Sequence, residues 1–306
     1  MKILLVNTQM PDYGQSMLYD GLARCANVYG TDAVDISIYP MNVHLGGLET
    51  WEWMPKRPLN APLIQNLDID AFNCVIVTSC KSDTISTYHN LKKFFRNMPP
   101  SFLVDGEDNE GINEWAVEVV KPVAIFKREM IQGKEYPINC YPCPFSCFLY
   151  DKATSGKNIG VFVTYAPNHE SRNQVTAELL KLNNQVQIIW NGHINYKHYL
   201  DRLRNSKIAL SSRGYGYDTV RFWEVLGNID VMLMADESPL ILPNPLTEGL
   251  HFVQYNTDNV LELAKMYLND DNVRLNIAKS GHEFCMKYHS TQKRAKYVLD
   301  IIEETL

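Results

Sequence analysis

The chain has 306 residues, 45% hydrophobic and 21% charged, with a formal net charge of −6 and a pI near 5.8. That length sets an expectation of two domains. The acidic balance lacks the electrostatic footprint of a general nucleic-acid binder and directs attention to small-molecule partners. No stretch approaches the roughly eighteen apolar residues of a membrane helix, and the N-terminal apolar run of four is too short for a signal-peptide core. Seven cysteines at irregular spacing give no paired framework. The expected location is a reducing cytoplasm.

In chain order, short continuous apolar runs suit parallel strands covered on both faces. The first half has "ILLV" at 3–6, "CVIVTS" at 74–79, "SFLVDG" at 101–106 and "VAIFK" at 123–127, with helical spacing at 16–26 and 86–98. The second half has "IGVFVTYA" at 159–166, "VQIIW" at 186–190, "IALSS" at 208–212, "VMLMA" at 231–235 and "HFVQY" at 251–255. Helical spacing falls between them at 170–182, 196–205, 219–226 and 257–268, and two further helices follow at 270–288 and 291–305. This alternation predicts an α/β protein of two doubly wound domains. The boundary is expected within 148–158, where Lys, Ser, Gly and Asn replace apolar residues. The expected division is residues 1–150, residues 151–290, and a final helix, 291–306, packing back on the first domain.

Ligands in such folds bind beyond the carboxyl ends of the strands. That rule selects Asn7, Gln9, Asp12 and Tyr13, then Asp105, Glu107 and Asp108, then Lys127, Arg128 and Glu129. In the second domain it selects Asn168, His169 and Arg172, then Asn191 and His193, then Ser211 to Gly216. The bland readings are a turn for Asp12, a solvated or capping turn for Asp105 and Asp108, and a solvated strand edge for Lys127, Arg128 and Glu129. For Arg172 the bland reading is an ion pair with Glu170 or another acid, and for His169 a helix start capped by Asn168.

The segment "SSRGYGYDTVRFWEVLG", 211–227, runs a glycine-bearing loop with Gly214 and Gly216 into a helix. Loop N–H groups and the positive helix end suit an anion. Asp218 or Thr219 is the expected cap. Arg221 and Glu224 are three apart, hence on one helical face, and Arg213 reaches the same place from the loop. Guanidinium groups match phosphate with two parallel donors, and a carboxylate can accept both hydroxyls of a diol. Together they suit a nucleotide. The competing reading is a surface Arg221–Glu224 ion pair on a helix whose Phe222, Trp223, Val225 and Leu226 are core.

The longer segment "NSKIALSSRGYGYDTVRFWEVLG" resembles the donor-binding motif of GT-B glycosyltransferases of the CgeB-like and exostosin-like groups. Weaker pieces follow the same order: "DYGQSMLYDGLAR", "LVDGEDNE", "IFKRE", "APNHESR" and "NPLTEGLHFVQY". The resemblance implies two Rossmann-like domains facing across a cleft, with the donor mainly on the second and the acceptor mainly on the first. Carried over, Arg213 and Arg221 hold the donor diphosphate and Glu224 the ribose, with Arg172, His169, Gly214 and Gly216 completing the donor side. Such enzymes need no metal and no cofactor beyond the nucleotide-sugar donor, UDP-linked in the simplest case. "NID" at 228–230 departs from the family's usual turn after the helix.

The expected reaction is hexosyl or pentosyl transfer to a hydroxyl of a glycan, protein, metabolite or hydroxymethylated DNA base, the acidic pI weighing against DNA. Arg221 would stabilise the departing diphosphate. Asp12 is the first candidate for the base of an inverting reaction, with Asp105 and His169 behind it, and Asp105 and Lys127 lie on the acceptor side. The alternatives are a sugar-nucleotide epimerase and a catalytically silent nucleotide-sugar-binding module. Cys140, Cys143 and Cys147 invite a metal reading, but no second ligand pair accompanies them. Pro142 and Pro144 favour an extended segment instead. Trp51 and Trp53 in 44–58 are core by default, with stacking on a sugar or base as the alternative.

Overall fold

The computed structural model describes residues 1–30 apart from Gln9 and Pro11, and residues 67–148, 156–166, 169–190 and 195–306. Gln9, Asn168, Asn191, His193, Trp51 and Trp53 therefore lie outside the described residues, as does most of the expected boundary. The chain forms two compact units, Met1–Phe145 with Thr291–Leu306, and Ser146–Ser290. No described helix is long and apolar enough to cross a membrane.

In unit 1 the order is β1 (Lys2–Val6), α1 (Tyr13–Cys25), β2 (Asn27–Gly30), β3 (Cys74–Val77), α2 (Ser82–Phe94), β4 (Ser101–Asp105), α3 (Glu114–Val120), β5 (Ala124–Lys127) and β6 (Cys140–Pro142). The six strands form a parallel sheet in the order β2-β1-β3-β4-β5-β6. Successive side chains of a strand go to opposite faces. Ile3 and Leu5 accordingly join Phe102 and Phe126 on one face, while Leu4 and Val6 join Val75, Val77, Tyr88 and Leu91 on the other. Both faces are dry, so the strands read as unbroken apolar runs.

Unit 2 contains β7 (Ile159–Tyr165), α4 (Glu170–Leu179), β8 (Val186–Trp190), α5 (Tyr196–Arg204), β9 (Ser206–Ser211), α6 (Val220–Leu226), β10 (Met232–Asp236), β11 (Val253–Tyr255), α7 (Val260–Asn269) and α8 (Asp271–Tyr288). Its parallel sheet has the order β11-β10-β9-β7-β8. Both sheets share one plan: the first strand pairs with the second on one side and the third on the other. This reversal places a crevice at the carboxyl ends of β1 and β3, and another at those of β7 and β9.

The last helix, α9 (Thr291–Thr305), returns to unit 1 and packs on α1. A Cβ added at Gly21 would lie 2.1 Å from the Thr291 carbonyl oxygen and 2.7 Å from the Ala295 Cβ. Only glycine allows so close an approach. Ala295, Val298 and Ile302 then complete the face of Ile3 and Phe102.

The structure adds three elements to the sequence expectation, β2, β6 and α3. It also corrects the reading of the cysteines. Cys147 and Cys285 form a disulfide within unit 2, across 138 residues of sequence. Local spacing carries no trace of a partner so distant. Cys140 is buried in β6, where burial raises its thiol to about 11. Among the described residues no group of three or more His, Cys, Asp or Glu could hold a metal ion.

Candidate functional site

The switch point of unit 2 gathers the residues singled out from "RGYGYDTVRFWE". Arg172, from the first turn of α4, is buried, and its guanidinium bridges the two loops there. Nη1 donates to the Ala166 carbonyl after β7 (2.7 Å), and Nη2 to the Ser212 carbonyl after β9 (2.9 Å). It also lies 5.0 Å from the Tyr165 ring centroid. Hydrogen bonding to carbonyls leaves a guanidinium its positive charge. Burial and the neighbouring Arg221 both push the Arg172 pKa down.

Arg213 follows in the loop after β9, stacked 3.9 Å from the Tyr217 ring centroid. Its Nε is buried with no hydrogen-bond partner among the described residues. Its backbone N–H donates to Asp236 at the end of β10 (2.7 Å), and the Gly214 N–H donates to the Gly216 carbonyl (3.0 Å). These two amides are used internally. Neither Gly214 nor Gly216 has a positive φ; among the described glycines only Gly133 and Gly249 do. The expectation of a loop with free amides is thereby corrected at Arg213 and Gly214. With α6 only seven residues long, the anion-attracting capacity rests on the arginines.

The expected cap is corrected too. Thr219 stands at the start of α6 without a side-chain cap, its hydroxyl hydrogen-bonding the Ser211 hydroxyl at 2.7 Å. Asp218 accepts the Trp223 indole N–H at 2.7 Å and so anchors the loop to the core side of α6. On α6, Trp223, Val225 and Leu226 are buried as expected while Phe222 is only partly buried, and Glu224 is buried with the first three, which removes the surface-pair reading. Glu224 accepts from the Tyr196 hydroxyl (3.2 Å) and the Tyr199 hydroxyl (2.6 Å), both on α5. Burial raises its pKa, opposed by Arg221 and the two tyrosine donors. Arg221 lies over the Tyr199 ring, 5.4 Å from its centroid.

His169, not Asn168, caps α4, its Nδ1 accepting the Ser171 N–H at 3.3 Å. Burial, Arg213 and Arg172 lower its pKa. Asp236 escaped the sequence reading, although the strand-end rule applied to "VMLMADE" would have found it. Burial raises Asp236 from 3.8 to about 6, against the pull of the Arg213 amide. A raised pKa means the folded state binds this proton more tightly than the unfolded chain. Its contribution therefore makes stability fall as pH rises from about 4 to about 6, by about 2–3 kcal/mol. Asp236→Asn is expected to flatten that part of the pH profile in urea unfolding. An unchanged profile would assign Asp236 an ordinary carboxylate pKa.

In unit 1 the selected residues form a different arrangement. Asp12 caps α1 through the Gln15 N–H (2.9 Å) and pairs with Lys81 at 3.0 Å. Asp105 and Lys127 are an ion pair at 3.2 Å, both ends 0% exposed, so neither presents a surface to a ligand. Asp105 also accepts the Asn113 N–H at 3.0 Å. Arg128 and Glu129 are buried as well, correcting the solvated-edge reading. Arg128 donates to the Gly106 carbonyl (3.0 Å), pairs with Asp108, and lies over the Phe145 ring at 4.7 Å. A buried pair that loses one partner leaves an uncompensated charge, which makes these residues structural before anything else. A separate cavity of about 640 Å³ lies at the opposite, amino end of β7 and β8, lined by Gln187, His198, Asp201 and Arg202 among others.

Residues 162–300 match the family model described as glycosyl transferase-like. The matched region contains Arg172, Arg213, Arg221, Glu224 and Asp236. Among solved structures the chain is similar to Anabaena Alr3699/HepE in complex with UDP-glucose, with a TM-score of 0.66 at 8% identity, over 99% of this chain and 100% of that one. It is also similar to an alpha-glucosyltransferase in complex with UDP and a 13-mer DNA containing an A:G mismatch. There the TM-score is 0.59 at 10% identity, over 98% of each chain. No curated protein matches the sequence. The likeness to the solved structures is one of fold, and that fold is GT-B, two Rossmann-like α/β units.

Proposed function

We propose that the protein transfers a sugar from a UDP-sugar to an acceptor hydroxyl, and that its motifs place it with the CgeB-like and exostosin-like glycosyltransferases. The observation that carries this reading is the set of three arginines, Arg172 on α4, Arg213 in the loop after β9 and Arg221 on α6, at the switch point of a unit that matches a glycosyl transferase-like model. Arg213 and Arg221 hold the diphosphate, with Arg172 adding positive charge and fixing the loops. Glu224 takes the ribose. As the bond between sugar and diphosphate breaks, negative charge collects on the leaving oxygens, and guanidinium groups already in place stabilise it. The arginines supply this neutralisation, so the reading invokes no metal. UDP is preferred over other nucleotides because the similar HepE and alpha-glucosyltransferase structures hold UDP or UDP-glucose.

The test is thermal unfolding with UDP, GDP, dTDP, ADP and CDP. A ligand at about 100 times its Kd adds about 2.7 kcal/mol. UDP should raise Tm by several degrees in the wild type and by less in Arg221→Ala. If no nucleotide moves Tm, the donor-site reading fails.

On the acceptor side Asp12 is the base for an inverting course. Asn caps a helix about as well as Asp, so Asp12→Asn keeps the start of α1 while removing the base. It should lower turnover by orders of magnitude with UDP affinity intact. Near-normal turnover would remove Asp12 from the mechanism.

A further inference from the structure

The two oxygens of Glu224 are held unequally. Oε2 accepts the short bond, 2.6 Å, from Tyr199, which is 5% exposed. Oε1 accepts the longer one, 3.2 Å, from Tyr196, which is only partly buried. The tyrosines are three residues apart on α5, as Arg221 and Glu224 are on α6, so each pair shares one helical face. The tyrosine rings stand 5.7 Å apart, and the Tyr199 ring also lies under the Arg221 guanidinium. One buried side chain thus touches both the proposed phosphate ligand and the proposed ribose ligand.

A glutamate has three rotatable bonds, and without a fixed partner it would sample many orientations. A charged hydrogen bond from a buried phenol removes that freedom before any ligand arrives. We infer that Tyr199 is a positioning residue for ribose recognition, locking one oxygen of Glu224 and seating Arg221, while Tyr196 occupies the other oxygen as a placeholder that the ribose replaces. This rests on the reading of Glu224 as the ribose ligand. The substrate class is thereby narrowed to ribonucleotide donors, since a deoxyribose would displace the Tyr196 hydroxyl without restoring its bond.

Calorimetric titration with UDP, 2′-deoxy-UDP and 3′-deoxy-UDP tests this on wild type, Tyr199→Phe and Tyr196→Phe. Wild type should prefer UDP by about tenfold over at least one deoxy form. Tyr199→Phe should lose affinity for UDP while keeping that for the disfavoured deoxy form, so that the preference shrinks to about threefold or less. Equal losses for all three ligands would make Tyr199 merely structural and overturn the inference. Tyr196→Phe should bind UDP as well as wild type or better, having no placeholder to displace. Weaker UDP binding there would overturn the placeholder role, and this variant carries the test if Tyr199→Phe does not fold. Wild-type binding of UDP with no preference would overturn the inference and leave the nucleotide site standing. Absence of nucleotide binding altogether would refute the functional reading itself and, with it, this one.

Discussion

Arg221→Ala is expected to slow release of UDP from a UDP-sugar by about 10²–10³-fold, the loss of about 2.7–4 kcal/mol that follows removal of one prearranged donor at a developing negative charge. The effect should fall mainly on turnover, because the charge that Arg221 meets is largest as the bond breaks. On the proposed reading Arg213 remains to hold the ground-state diphosphate, with Arg172 adding positive charge. UDP affinity should therefore largely survive, leaving a reduced thermal shift. The variant should stay folded, since Trp223, Val225 and Leu226 continue to bury α6. If turnover and affinity decline together by the same factor, Arg221 binds substrate and transition state alike. If neither changes, the phosphate site lies elsewhere.

The second large effect concerns the disulfide of unit 2. Cys147 and Cys285 enclose almost the whole unit, and a cross-link closing a loop of 138 residues removes chain entropy from the unfolded state worth about 5 kcal/mol. Cys285→Ala is expected to lower the unfolding free energy of the oxidised protein by that order in urea titration. The same variant should differ far less from wild type under a strong thiol reductant. An equal difference in both conditions would mean that the loss comes from packing and not from the cross-link. The sequence expectation of a reducing compartment carries a consequence here, because there the contribution of this bond would be withheld.

Most of the fold could be read from residue order because β strands covered on both faces must be apolar throughout. "ILLV", "CVIVTS" and "IGVFVTYA" each coincide with a central strand. β2 and β6, with the sequences NVYG and CYP, offer no continuous apolar run of the kind that marks the other strands. Helix starts were less legible. α2 begins at Ser82, four residues before the expected start, without a side-chain cap to mark it. In the candidate site, the arginines and Glu224 were visible because charge on a helix otherwise committed to the core needs a reason. Tyr196 and Tyr199 were not, since a tyrosine in an amphipathic helix looks the same whether its hydroxyl meets water or a buried carboxylate. Asp105 and Lys127 illustrate the converse: a charged residue at a strand end signals the carboxyl edge, but it carries no sign of the partner that covers it.

Unit 1 is assembled from two separated stretches of chain, and the second supplies Ala295, Val298 and Ile302 to its core. During synthesis, the apolar face of Ile3, Leu22, Phe102 and Phe126 must wait until residues 291–306 have left the ribosome. Unit 2 is continuous and needs none of them. A released chain truncated after residue 290 should thus hold a protease-resistant second unit together with a first one still open to chaperones, although the first was translated earlier.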